Sequence, residues 1–285
     1  MKTLIVALSM AASAATTAAA TPAERAQAIN VATYNLRLNT PDDKANAWPH
    51  RESLVKALIQ YQELDLVATQ EGLIEQITAL ESMPGWGRVG VGRDDGAQGG
   101  EHAAIFYRKA RFKVERQGDF WLSATPDKPS ISWDSRCCKR LTSWAQLKDL
   151  ITGRSFLVSS SHFDHEGEVS RRESARLLVA RLPQLAGKLP VLALGDFNAV
   201  PDSEPVAIMK AAYRDAYAVS ETPPYGPVGT FNDFKWDAPD AVAKRIDYLW
   251  LTPQVRVLKY GVLTDSWRGR YPSDHFPVVV RLLVN

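Results

Sequence analysis

Leu189-Pro190-Val191-Leu192-Ala193-Leu194-Gly195-Asp196-Phe197-Asn198 is the stretch on which the reading of this chain turns. Residues 189–194 form a short apolar run closed by a glycine, the pattern of a central strand buried on both faces. The run stops in two polar residues. With a side-chain period of two, Asp196 and Asn198 share one face while Phe197 points to the core. Taken alone, the tetrapeptide 195–198 reads equally well as an Asx turn.

Several other strand-like segments end the same way. The segment 29–38 delivers Asn35. The segment 64–70 runs into Glu71, and 155–161 into His162, Phe163, Asp164 and His165. The segment 245–251 carries Asp247, and 275–284 opens on Asp274 and His275. Helical stripes at 48–61, 74–80 and 171–185 are interleaved with these strands. The segments 102–107, 112–115, 143–147 and 255–263 read as further strands. This alternation argues for an α/β layered domain, in which groups at strand ends converge on one edge and build a site there. Two segments, 117–140 and 221–244, are rich in Pro, Gly, Asp and aromatics and read as surface loops along a cleft.

Glu71, Asp196 and Asp274 are hard oxygen donors, and Asn35 and Asn198 add neutral oxygens. Such a set suits Mg²⁺, with Mn²⁺ or Ca²⁺ as alternatives, rather than a thiolate-seeking metal. His162 and His275 can move protons or bind phosphate oxygens. Each residue has a plainer reading by itself: Glu71 as a loop cap, Asp274 with His275 as a structural hydrogen bond. The inference rests on all six strand ends together, which hold the parts of a metal-assisted hydrolase.

The 285 residues carry 34 Lys and Arg against 32 Asp and Glu, with 45% hydrophobic residues. These fractions exclude a disordered chain, and two cysteines exclude a disulfide scaffold. A net charge of +2 gives no basic footprint for a long polyanion, although catalytic metal ions can supply positive charge locally. Residues 1–20 read as a secretory signal peptide: Lys2, a short apolar run at 4–8, then an Ala/Ser/Thr stretch. The expectation is an exported protein, periplasmic or extracellular, with one catalytic domain over 21–285. No apolar stretch is long enough to insert stably in a membrane, and no protein partner is evident. Cys137 and Cys138 are adjacent. They close a small strained ring, stay free, or pair between chains.

Thr33-Tyr34-Asn35, Thr69-Gln70-Glu71, Ser161-His162-Phe163-Asp164, Gly195-Asp196-Phe197-Asn198, Arg245-Ile246-Asp247-Tyr248 and Ser273-Asp274-His275 occur in an order that resembles the endonuclease/exonuclease/phosphatase superfamily, with its deoxyribonuclease I-like fold. The resemblance runs from about residue 29 to the end. It implies a four-layer α-β-β-α sandwich with two mixed β-sheets packed face to face. It also implies roles. Glu71 would be the principal Mg²⁺ ligand, with Asn35 and Asp274 near the metal. Asp196 would position or deprotonate the attacking water, and Asn198 would hold a phosphate oxygen. His275 would bind the scissile phosphate, oriented by Asp247. His162 would stabilise the transition state or protonate the leaving oxygen, with Glu101 beside it.

The segments 90–96, 120–123 and 133–134, and His165 beyond the His162 motif, look like small exported bacterial members. Arg37 and Arg93 are candidate phosphate contacts. Trp121, Trp133, Trp236 and Trp267 read either as stacking surfaces or as buried loop-core residues. The expected activity is hydrolysis of a phosphodiester, as a nuclease or nucleotide phosphodiesterase acting on a nucleic acid or nucleotide. The alternatives are a phosphomonoesterase acting on sugar, inositol or lipid phosphates, and a catalytically silent phosphate-binding module.

Overall fold

The computed structural model describes residues 20–237 and 244–285. All but the last residue of the expected signal peptide, and residues 238–243 of the second long loop, lie outside the described residues. Among the described residues, twelve strands form two six-stranded sheets. The first holds β1 (Ile29–Asn35), β2 (Leu66–Gln70), β3 (Trp86–Val89), β4 (Ile105–Arg108), β11 (Val255–Val262) and β12 (Val278–Val284) in the order β11-β12-β1-β2-β4-β3. The second holds β5 (Phe112–Trp121), β6 (Leu141–Asp149), β7 (Ser155–His162), β8 (Val191–Asp196), β9 (Arg214–Asp215) and β10 (Asp247–Leu251) in the order β5-β6-β7-β8-β10-β9. Both sheets are mixed: β1 with β2 and β7 with β8 are parallel, and the other strand pairs are antiparallel.

The strand period sorts the core into layers. Val31, Leu66 and Ile105 of one sheet meet Val158, Leu192 and Leu249 of the other in the layer between the sheets. The alternate residues face outward. Ala32, Tyr34 and Val67 lie under α2 (Glu52–Tyr61) and α3 (Ile74–Glu81). Leu157, Val191 and Ala193 lie under α4 (Glu168–Ala186) and α5 (Glu204–Ala212). This is the expected four-layer sandwich. A short α1 (Pro22–Gln27), capped by Thr21, precedes β1.

Three details differ from the sequence reading. The segment 117–140 is not loop throughout, because 117–121 complete β5 against β6. β3 carries a glycine among its four residues and shows too little alternation to be found by period. α5 buries only Pro205, Val206 and Met209 along its nine residues, too narrow a stripe to stand out. No helix among the described residues is long and apolar enough to cross a membrane.

Candidate active site

The functional side chains are the last members of the inner-face stripes. On β8, Leu192 and Leu194 face the opposite sheet, and Asp196 continues that parity. On β1, Val31 and Thr33 lead to Asn35, and on β7, Phe156, Val158 and Ser160 lead to His162. Where the apolar series ends, polar groups from both sheets face each other. β1, β2, β7 and β8 end at this edge, while β6, β10 and β12 begin there. The register sets His162 opposite Asp196 and Asp196 opposite Asp247.

Asn35 crosses the gap between the sheets. Its Nδ2 donates to Glu71 Oε1 at 2.9 Å and to Asp196 Oδ2 at 3.0 Å. Its Oδ1 accepts from Arg37 N–H at 2.9 Å, which fixes the amide orientation. Asn35 therefore turns its amide nitrogen, not the oxygen a metal needs, toward the carboxylates. Glu71 Oε2 also accepts from Leu38 N–H at 3.1 Å. One ligand atom each from Glu71, Asp196 and His275 lie within 4.8 Å of one another. Asp274 lines the same cavity outside this trio, with Oδ2 at 3.9 Å from Arg37 Nε.

His275 Nδ1 donates to Asp247 Oδ2 at 2.9 Å, and Thr230 Oγ1 donates to the same oxygen at 2.6 Å. Its Nε2 stands 3.7 Å from Asp196 Oδ2. Burial alone would lower the His275 pKa, but Asp247 and Asp196 overcome it and hold the ring protonated well above its usual range. His162 behaves oppositely. Burial, then the Arg140 guanidinium, push it down to about 3, so the ring is neutral at pH 7. Glu101 lies 3.5 Å from His162 Nδ1, but its closer partner is Arg93 at 2.6 Å.

Asn198 adopts a left-handed backbone, φ 46°, and its N–H donates to Asp196 Oδ1 at 2.8 Å, as in an Asx turn. Its Nδ2 donates to Phe163 O at 3.0 Å, and the residue lines the cavity. Phe197 packs under the helices.

The cavity has a volume of about 610 Å³, and Glu71, Asp196, Asn198, His162, His275, Asp274 and Glu101 all line it. Asp247 stands behind His275. Arg37 and Arg93 also line it, each already paired with an acid, Asp43 and Glu101. None of the four tryptophans lines it. Trp121 is buried at the end of β5 and donates from Nε1 to Arg93 O at 2.7 Å, while Trp133, Trp236 and Trp267 are exposed. The aromatic wall is Phe231 and Phe234.

Arg140 is a candidate-site residue that the sequence reading missed. It is buried, and its Nη1 lies 2.9 Å from His162 Nδ1. A charged residue just before an apolar strand was a visible signal. That β6 starts at the edge where β7 ends was not.

The donor set fits a divalent cation. Asp196 is raised above the usual carboxylate range by burial and then by Asp247, and Asp274 is pushed up to about 6 by burial and then by Glu71. Buried oxygens that repel one another in this way are what a hard cation relieves. Glu71 and Asp196 would hold it, with Asp274 adjacent.

A face-to-face α/β sandwich whose inner stripes end in acids, amides and imidazoles around one cavity has the build of the deoxyribonuclease I-like phosphoesterases. The sequence profile of the Endonuclease/Exonuclease/phosphatase family matches residues 32–275, and the chain belongs to that family. Members are hydrolases of phosphate esters and generally depend on divalent metals. Among solved structures, a mannosyl-6-phosphatase from Bacteroides thetaiotaomicron is 39% identical, with a TM-score of 0.85 over 90% of this chain and 99% of that one. A family protein from the same organism is 38% identical, with a TM-score of 0.86 over 90% of this chain and 95% of that one. Nocturnin of Drosophila melanogaster is 26% identical over 83% of this chain and 42% of its own length. The chain thus spans about two fifths of that curated relative.

Proposed function

We propose that the protein is a divalent-metal-dependent phosphoesterase that releases phosphate from a small phosphomonoester, a sugar phosphate being the leading class. The observation that carries the catalytic part is the convergence of Glu71, Asp196 and His275 in one cavity, with Asp247 behind His275. The substrate part draws on the 39% identity to a mannosyl-6-phosphatase across nearly that whole chain. A cavity of about 610 Å³ suits a small ester. The monoester alternative of the sequence reading therefore moves ahead of the phosphodiester.

A bound Mg²⁺ would supply Lewis-acid neutralisation of charge on the phosphoryl oxygens. The chain's own groups account for the rest. The protonated ring of His275, held by Asp247, presents Nε2–H to a phosphoryl oxygen. Asp196 accepts a proton from water as the water oxygen bonds to phosphorus and the ester P–O bond breaks, and the leaving alkoxide takes a proton from solvent. The neutral ring of His162, held by Arg140, presents a dipole to the same centre, and Phe231 and Phe234 form an apolar wall of the cavity. Export is proposed on residues 1–20, and the N-terminal sequence of the mature protein checks it.

Turnover of mannose 6-phosphate, glucose 6-phosphate, inositol phosphates, sphingomyelin, p-nitrophenyl phosphate, bis-p-nitrophenyl phosphate, plasmid DNA and RNA would be compared with Mg²⁺, with Mn²⁺ and with EDTA. The expected result is metal-dependent release of phosphate with a sugar phosphate at the highest kcat/KM. Preference for the diester or DNA would restore the phosphodiesterase reading. Metal binding without turnover of any ester would leave the silent module.

A further inference from the structure

Cys137 and Cys138 stand next to this machinery. They are joined to each other by a disulfide. Cys137 is exposed, while Cys138 is half-buried and lines the cavity. Two residues later the buried Arg140 leads into β6.

Arg140 connects the parts of one wall. Its Nη1 lies 2.9 Å from Nδ1 and 3.1 Å from Nε2 of His162, and its Nη2 lies 2.7 Å from Nδ1 of His165. Its carboxylate neighbours are more distant, Asp164 Oδ2 at 3.7 Å and Glu101 Oε2 at 3.8 Å. No close bidentate ion pair fixes the guanidinium by itself, so its place depends on the backbone on either side. On the β6 side, Leu122 N–H donates to Arg140 O at 2.7 Å. On the other side is the disulfide turn. There Cys138 N–H donates to Ser135 Oγ at 3.3 Å, and Ser135 Oγ donates to Asp164 Oδ2 at 2.6 Å. Asp164 is itself fixed by the N–H groups of Glu166 and Gly167 at 2.9 and 2.6 Å. The turn is thereby tied to the loop that follows His162.

We propose that the Cys137–Cys138 disulfide is a positioning element for Arg140, so that the site is active when the bond is closed and impaired when it is open. The proposal rests on the phosphoesterase reading. Closing the bond locks both cysteines and the peptide between them, and opening it returns that freedom to the chain leading into Arg140. A displaced guanidinium leaves the His162 ring with Glu101 at 3.5 Å, Asp196 at 3.7 Å and Glu71 at 3.9 Å as its close neighbours. The ring then loses the 2.9 Å contact that sets its orientation toward the reacting centre. The opening step uses a dithiol. Its thiolate attacks the exposed Cys137 sulfur, the S–S bond breaks, and Cys138 leaves as a thiolate that takes a proton. The second thiol then displaces Cys137. Two electrons and two protons pass to the protein, giving two cysteine thiols and one oxidised dithiol.

The test uses the full-length, Mg²⁺-loaded protein and p-nitrophenyl phosphate, or the best ester from the screen. Activity is measured before and after dithiothreitol, with freed thiols counted by alkylation and mass spectrometry. Reduction is expected to lower kcat at least tenfold with KM unchanged within threefold, and reoxidation to restore it. The Cys137→Ser/Cys138→Ser protein should match the reduced state. Arg140→Gln should be slow in both redox states, and Arg140→Lys should recover part of the activity together with the dithiol response. The proposal fails if two thiols are counted and kcat stays within twofold, or if Arg140→Gln loses the same factor on reduction as the natural protein. It also fails if reduction abolishes the circular dichroism of the fold, since the bond would then be a general staple. Reduction of the natural protein decides the matter even where a variant does not fold. Absence of turnover by the oxidised protein on every ester would instead overturn the phosphoesterase reading, and this proposal with it.

Discussion

Glu71 occupies a backbone conformation that a glutamate adopts only under constraint. Its φ is 64°, in the left-handed region. Such a residue costs on the order of 1–3 kcal/mol and persists where its surroundings over-determine it. Here Asn35 and Leu38 N–H each hold one of its oxygens. Glu71→Ala is therefore expected to lower kcat by about 10³-fold or more, the scale of losing a principal charge-stabilising group, and to leave the melting temperature measured in EDTA nearly unchanged. Steady-state kinetics beside a thermal melt check both halves, and turnover retained with excess Mg²⁺ would refute the assignment. His102 gives a prediction of stability. It is buried, and its Nδ1 donates to Gly72 O at 3.1 Å, bridging the loop after β2. Burial, the largest influence, holds its pKa below 6.5. A depressed histidine pKa means that the unfolded state binds more protons. The contribution of His102 to stability is complete above pH 6.5 and is lost as pH falls below it. His102→Asn keeps an N–H donor and cannot titrate. Its melting temperature should fall less between pH 7.5 and 5.5 than that of the natural protein, and parallel curves would refute this.

At the scale of elements, the site depends on how closely β7 and β8 run at their ends. Gly195 sits between Leu194 and Asp196, and a Cβ there would lie 2.1 Å from Ser161 O on β7. The obstacle is backbone in a central strand and cannot swing aside. Gly195→Ala should therefore part the strands where His162 faces Asp196. A destabilisation of about 1–3 kcal/mol, the usual cost of overpacking, is expected together with at least a tenfold loss of kcat, read from denaturant midpoints and kinetics. Full activity in this variant would mean that the two strand ends need not touch. The same pair of strands shows what was legible in the sequence. The apolar runs ending in Asp196, His162 and Glu71 identified buried strands and a shared edge, because a period of two leaves the inner face in plain view. The parts that were not legible depend on direction and pairing. Arg140 precedes a strand rather than ending one, so its place beside His162 follows only from the antiparallel pairing of β6 with β7. Trp121 looked like a loop residue because the charged, exposed middle of β5 hides its continuation. Asn35 carries a usable oxygen in its sequence, and only the Arg37 N–H at 2.9 Å shows which way the amide turns.

At the scale of the whole molecule, the site belongs to neither sheet. Asn35 and Glu71 come from the first sheet and its loops, and Asp196, His162 and Asp247 from the second. Few polar links cross between the sheets at this edge. Asn35 reaches Asp196, and Gln70 Nε2 donates to Ser160 Oγ at 3.0 Å. The buried acids gathered there repel one another, since Asp247 raises Asp196 and Glu71 raises Asp274. Without a cation, the junction of the two sheets thus carries an electrostatic penalty that the apolar layer between them must outweigh. A divalent ion bound by Glu71 and Asp196 would remove that penalty and bridge the sheets. Binding to the folded state alone stabilises it by RT ln(1 + [L]/Kd), about 2.7 kcal/mol at a hundredfold excess over Kd. For a protein of this size that is a rise of roughly 5–10 °C in melting temperature. The rise should shrink as pH falls from 7.5 toward 5, because protons compete for the raised carboxylates and metal binding must release them. Glu71→Ala and Asp196→Asn should abolish it at every pH. Melting curves in Mg²⁺ and in EDTA test this without any substrate. Identical curves at pH 7.5 would show that the acids do not hold a cation in the resting protein, and would leave the junction of the sheets to its direct hydrogen bonds, those of Asn35, Gln70, Ser160 and His275 among them.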